Sequence, residues 1–142
     1  MRAEGKVRFI GAVETVNEVS KIKIFPEYLK GLRNIDQFSH LIVLYWLSLR
    51  DNEDERRTLS VIPRKHLGAP RMGVFATRSP SRPNPIGLCV VRLLKVEDDG
   101  LLVEGLDALE GTPIVDIKPY IPRADVVPDA AVPEWTSHGP GT

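Results

Sequence analysis

The sequence predicts a mainly β fold, a single closed or partly open β-barrel with a few short helices. Three observations carry that expectation. The chain holds 12 prolines and 11 glycines, which break long helices and favour short strands joined by ordered loops. Apolar and β-branched residues alternate with charged ones over several short segments, the period of half-buried strands. At 142 residues there is room for one domain, since single domains usually run to roughly 100–150 residues.

The elements follow in order. Val7–Val13 and Val19–Phe25 interleave apolar residues with Arg8, Lys21 and Lys23, as strands do. Pro26 sits where a first-turn proline belongs, and Leu29, Leu32 and Ile35 follow at helical spacing, so residues 26–37 predict one or two short turns. Leu41–Leu49 is apolar nearly throughout, which predicts a central strand buried on both faces. Asp51–Leu59 places its acids ahead of Arg56 and Arg57, the charge order of a short surface helix. Gly73–Thr77 and Ile86–Val96 are further strands; Glu97-Asp98-Asp99-Gly100 makes a turn, and Leu101–Leu106 returns as a hairpin partner. The domain is expected to cover 1–127, with an extended C-terminal tail over 128–142.

Charge balance is zero overall but segregated along the chain. Nine bases lie between Arg56 and Lys95 with no acid among them, whereas ten acids from Glu97 onward face only Lys118 and Arg123. Such asymmetry suits a face for an anionic partner; the alternative is an acidic third folded against the basic one. The longest apolar run, Leu41–Leu47, is far short of the roughly 20 residues of a membrane helix. No apolar stretch follows the N-terminus as in a signal peptide. The lone Cys89 excludes an internal disulfide and suits a reducing, cytoplasmic setting. His40, His66 and His138 are scattered, so no protein-built metal site is expected.

Two stretches carry chemistry. In Gly73–Leu88, Pro80, Pro83 and Pro85 hold the chain extended and stiff, so Arg78 and Arg82 present guanidinium forks, suited to carboxylate or phosphate, at low entropic cost. In Leu106–Pro122, Glu110-Gly111-Thr112-Pro113 reads as a turn with exposed amides. After it Asp116, Lys118 and Tyr120 share one strand face, either a reaction-site wall or a structural ion pair capped by a tyrosine. No Gly-x-Gly-x-x-Gly or Walker-type loop is present, which removes support for a doubly wound nucleotide fold.

Gly73-Val-Phe-Ala-Thr-Arg-Ser-Pro, then Arg82-Pro-Asn-Pro-Ile-Gly-Leu, then Gly111-Thr-Pro-x-x-Asp-Ile-Lys-Pro-Tyr resembles the tRNA-methyltransferase O family, the TsaA-like domain. Phe38-Ser39-His40-Leu41 resembles its earlier motif, and the resemblance runs from about Val7 to Asp125. It implies a β-barrel homodimer that binds S-adenosylmethionine and methylates tRNA at N6 of threonylcarbamoyladenosine beside the anticodon. Carried over by motif, the cofactor contacts are Trp46, Leu47, Arg78, Leu88, Glu110, Gly111, Thr112 and Pro113. Arg64, Lys65, His66, Arg71 and Arg82 are the expected RNA contacts; Asp116, Lys118 and Tyr120 are candidates for catalysis, with no residue assigned. Bacterial members carry a Pro-Arg-Gln loop, absent from Gly11–Lys21 here, and a separate C-terminal domain, so the chain reads as a short variant. A binding module without catalysis, or a methyltransferase with a small-molecule substrate, are the rival readings.

Overall fold

The computed structural model describes residues 2–15 and 17–137. Its elements are β1 (Gly11–Thr15), β2 (Val19–Ile24), β3 (His40–Trp46), α1 (Glu53–Arg56), β4 (Ser60–Val61), β5 (Met72–Gly73), β6 (Ile86–Glu97), β7 (Gly100–Glu104), β8 (Pro113–Pro119) and α2 (Pro122–Asp125). They fall into two compact units. The first comprises the chain up to Trp46 with Ile86–Pro122, the second Leu47–Pro85 with the chain from Arg123 onward. Among the described residues no helix is long and apolar enough to cross a membrane.

The first unit is a closed antiparallel barrel in the order β1-β2-β7-β6-β3-β8. Closure comes from β1 and β8, which pair Gly11 with Ile114 and Ala12 with Pro113. Alternation puts Val13, Ile22, Ile24, Leu41, Val43, Tyr45, Val91, Leu101, Val103 and Ile114 inside, all nearly solvent-free; each such side chain stabilises the fold by about 1.5–3 kcal/mol. β1 is bulged between Val13 and Thr15, and on β2 opposite it both Ser20 and Lys21 are buried. Lys21 Nζ answers that burial by donating to Glu97 and, at 2.6 Å, to Asp99 in the β6–β7 turn.

Several expected boundaries shift. The first strand begins at Gly11 rather than Val7, since its ladders with β2 and β8 both start there; before it, Ile10 donates its N–H to Ile114 O at 2.9 Å. β3 ends at Trp46 and is buried on one face only, with Ile42, Leu44 and Trp46 half-exposed. Gly73–Thr77 is not a strand beyond Gly73: Val74–Ala76 forms a 3-10 turn, closed by Thr77 N–H donating to Val74 O. The short turns over 26–37, the helix after Asn52, β6 and the β6–β7 hairpin stand where expected.

The second unit is held by polar side chains. Arg56 Nε donates to Pro83 O at 2.7 Å while its Nη atoms reach Asp51 at 2.9 Å and Asn84 at 3.2 Å, tying α1 to the proline loop. Ser81 donates to Glu55, which also pairs with Arg50 at 3.0 Å. The Ser81 hydrogen bond holds the Glu55 carboxyl below its usual range against the opposing effect of burial, with Arg50 adding to the lowering. From Pro128 the described chain runs irregularly to a 3-10 turn at Glu134–Ser137; the rest of the expected tail, His138 included, lies outside the described residues.

Candidate functional site

Each unit presents one candidate surface. On the barrel, the outward residues of β6, Ile86, Leu88 and Val90, with Leu94 at the bulge that follows, are 37–45% exposed. Register sets the first three beside Trp46, Leu44 and Ile42 of β3, so the barrel carries a continuous apolar outer face. Trp46 and Leu88, both expected at the cofactor, lie on it. Pro113 joins them: Ile114 pairs with Tyr45 and points inward, which leaves Pro113 outward at the Trp46 end. Phe9 packs its ring on Trp46 at 5.7 Å between centroids.

The turn before β8 brings Glu110 and Gly111, both exposed, and the half-buried Thr112 to the strand's start. Gly111 has φ 85°, a conformation in which a side chain is strained. Its amides are less available than the sequence suggests. Gly111 N–H donates to Val13 O of β1 at 2.7 Å, and Thr112 N–H closes the turn itself on Leu109 O at 3.1 Å. Glu110 and the Thr112 side chain remain as polar groups for a ligand.

Asp116 and Lys118 do share the outer face, beside Leu44 and Ile42 of β3, and pair with each other at 3.2 Å. Asp116 also accepts from Ile117 N–H at 2.9 Å. Tyr120 follows the strand and is anchored by its N–H on His40 O. Cys89 is half-buried with its thiol donating to Gly105 O at 2.9 Å, and burial raises its pKa, an inert setting.

In the second unit, a pocket of about 1190 Å³ gathers much of the basic segment. Arg64, Lys65, His66, Arg71 and Arg78 all line it, and Arg50 joins them. Among the described residues no carboxylate lies within salt-bridge distance of Arg64, Lys65, Arg71 or Arg78. Of the acids of the C-terminal third, Glu97 and Asp99 pair with Lys21, and Asp116 with Lys118. Arg82 does not line the pocket: it donates to Thr77 O and Ser79 O, both at 3.1 Å, and braces the loop from within. Arg78 therefore sits on a loop fixed by Arg82, by Arg56 and by a chain of Thr77 and Ser79 side-chain bonds to the amides of Ser79 and Ser81. Phe75 and Trp135, which sequence reasoning missed, supply the pocket's aromatic surface.

The residues suit S-adenosylmethionine in chemical kind. Arg78 is a fixed guanidinium without a carboxylate partner among the described residues, as a ligand carboxylate needs. Trp46 and Leu88 offer half-exposed apolar surface for an adenine, and Glu110 an exposed carboxylate for hydroxyl or ammonium groups.

The model of the tRNA-methyltransferase O N-terminal domain matches residues 11–126. The chain is 51% identical over 109 residues to an S-adenosyl-L-methionine-binding protein of Archaeoglobus fulgidus, covering 77% of this chain and 74% of that one. It is 46% identical over 105 residues to the tRNA (adenine(37)-N6)-methyltransferase of Escherichia coli, covering 71% of this chain and 44% of that one. A crystal structure of TrmO from Pseudomonas aeruginosa superposes with a TM-score of 0.73 at 30% identity, over 94% of this chain. The chain spans only 62% of that crystallised protein.

Proposed function

Because this chain belongs to the tRNA-methyltransferase O N-terminal domain family, we propose that it is an S-adenosylmethionine-dependent methyltransferase acting on tRNA, at N6 of threonylcarbamoyladenosine beside the anticodon. The observation that carries the RNA half of this reading is the pocket in which Arg64, Lys65 and Arg71 converge with no carboxylate among its described lining residues. Cations left unpaired in a concave surface are what a phosphate backbone requires. The name and 46% identity of the E. coli relative support the reaction.

The cofactor supplies an activated methyl group. What the protein must add is positioning, since alignment of the acceptor nitrogen with that methyl removes much of the barrier. On the barrel, Trp46, Leu88 and Glu110–Pro113 would hold the cofactor's base and sugar side; Leu47 and Arg78, which belong to the second unit, are assigned to the cofactor by the family motif, Arg78 as the partner of its carboxylate. Asp116 is the carboxylate of the outer face able to take the proton released from the acceptor nitrogen. The apolar face of β3 and β6 belongs, in this reading, to a two-fold dimer, in which a second copy covers Val90 and its neighbours.

Titration calorimetry with S-adenosylmethionine, followed by transfer of labelled methyl to bulk tRNA and nucleoside analysis, tests the proposal. Cofactor binding with a methylated threonylcarbamoyladenosine is the expected result. Binding without transfer would replace it by the reading as a cofactor-binding module.

A further inference from the structure

Trp135 lies in a segment whose sequence announces no role, yet its ring lines the basic pocket. It is fixed there. The indole meets the His66 imidazole edge-on, with centroids 5.2 Å apart and planes at 67°. Its own turn is closed by Thr136, whose N–H and hydroxyl both donate to Pro133 O, at 3.1 and 2.7 Å. The indole is half-buried, so part of its surface stays open to the pocket.

Around that surface stand Arg64, Lys65 and Arg71, and no acid is among the described lining residues. A flat aromatic flanked by unpaired cations is the arrangement that holds an unstacked base and its adjoining phosphates. A duplex would find the cations but could not present a base face to the indole. The volume of about 1190 Å³ exceeds the roughly 300–1,000 Å³ of pockets that take one small molecule; a strand of more than one nucleotide uses that space.

We infer that this pocket is a subsite for a single-stranded stretch of the RNA substrate, in which Trp135 stacks on a base, His66 sets the tilt of the indole, and Arg64 and Arg71 contact phosphates. The inference rests on the RNA reading above and adds to it a specificity residue from the C-terminal segment.

The test uses the whole chain and three probes: an anticodon-loop oligoribonucleotide, an RNA duplex of equal length, and S-adenosylmethionine. Trp135→Ala should weaken the single-stranded probe about 5- to 150-fold, the range for loss of one stacked base, and leave the duplex and cofactor affinities within two-fold. Trp135→Phe should recover most of the loss. Arg71→Ala should instead lower the slope of log affinity against log salt by about 0.7, the value for one single-strand phosphate, whereas Trp135→Ala leaves that slope unchanged. Should Trp135→Ala lose its fold, a Trp46→Phe chain reports through Trp135 alone, whose fluorescence must be quenched by the single-stranded probe. Wild-type affinity of Trp135→Ala for RNA, an equal loss on duplex, or unquenched Trp135 would overturn the inference while leaving the RNA reading in place. A wild-type chain that binds cofactor but no RNA overturns both, and binding of an acidic peptide at the same pocket would then name a protein partner.

Discussion

Gly87→Ala is a one-methyl change whose cost follows from the barrel's register. Gly87 stands opposite Tyr45 in the β3–β6 ladder, and a Cβ placed on it would lie 2.4 Å from Tyr45 Cε2 and 2.6 Å from Cζ. Carbon atoms in contact sit about 3.5–4.0 Å apart, so the ring must retreat by about 1 Å. It has little room, since Tyr45 is 6% exposed inside a closed barrel. Overpacking of this kind costs about 1–3 kcal/mol. It should also show in the phenol. Burial, reinforced by the charge of Asp107, pushes the Tyr45 pKa to about 12; a displaced ring admits water and should titrate closer to the ordinary value near 10. Urea denaturation reads the first effect and ultraviolet titration the second. In a Tyr45→Val background, where the side chain ends short of those ring atoms, the penalty should vanish, giving a coupling energy of about 1–3 kcal/mol. An equal penalty in both backgrounds, or none in the parent, would refute the account of why this motif holds a glycine.

Three further outcomes are expected. Arg78→Ala should weaken S-adenosylmethionine by about 1.5–3 kcal/mol, the worth of a hydrogen bond to a charged group, with little change in thermal stability; unaltered calorimetric affinity would remove Arg78 from the cofactor. Val90→Glu, placed in the apolar outer row, should give a monomer by light scattering where the parent is dimeric, and a monomeric parent ends that reading. Lys21 should shape stability at both ends of the pH scale. Burial alone would lower its pKa, but the hydrogen bonds to Asp99 and Glu97 and their charges raise it above 10.5; that stabilisation is complete below 10.5 and is lost as pH rises through the raised value. Asp99, held below 3.8 chiefly by the Lys21 hydrogen bond, contributes above 3.8 and loses its contribution as pH falls through the lowered value. Melting temperature followed against pH should therefore fall less steeply at both extremes in Lys21→Met than in the parent.

What the sequence made legible was decided locally. β6 and its hairpin could be read because alternation runs unbroken into an acidic turn ending in Gly100, and each signal lies within a few residues of the next. The N-terminal strand predicted from Val7 starts only at Gly11, because Val7 and Phe9 have the right spacing but join no ladder, and pairing is a fact about distant chain. Leu41–Leu49 read as buried on both faces because its outward residues are as apolar as its inward ones; nothing in the row itself says that one face stays open. The proline loop's stiffness is legible in its prolines, but the bonds by which Arg56 and Arg82 brace it go to backbone carbonyls that no residue pattern marks. Trp135 was missed altogether. Its place depends on His66, far away in sequence, and no periodic pattern records a contact of that kind.

The segment from Leu47 to Pro85 leaves the barrel after Trp46 and returns at Ile86, and those two residues are register partners at the end of one ladder. The excursion is therefore a loop whose ends are already zipped together, so changing its length alters the closure entropy only slightly, about 0.6 kcal/mol per doubling. The barrel can tolerate replacement of the whole excursion as it would a longer hairpin. The replacement is not free of conditions, because Trp135 meets His66 of the excursion from beyond β8. A chimera that exchanges residues 47–85 between relatives should keep the barrel folded, but it should transfer RNA preference only when residues 123–137 travel with it.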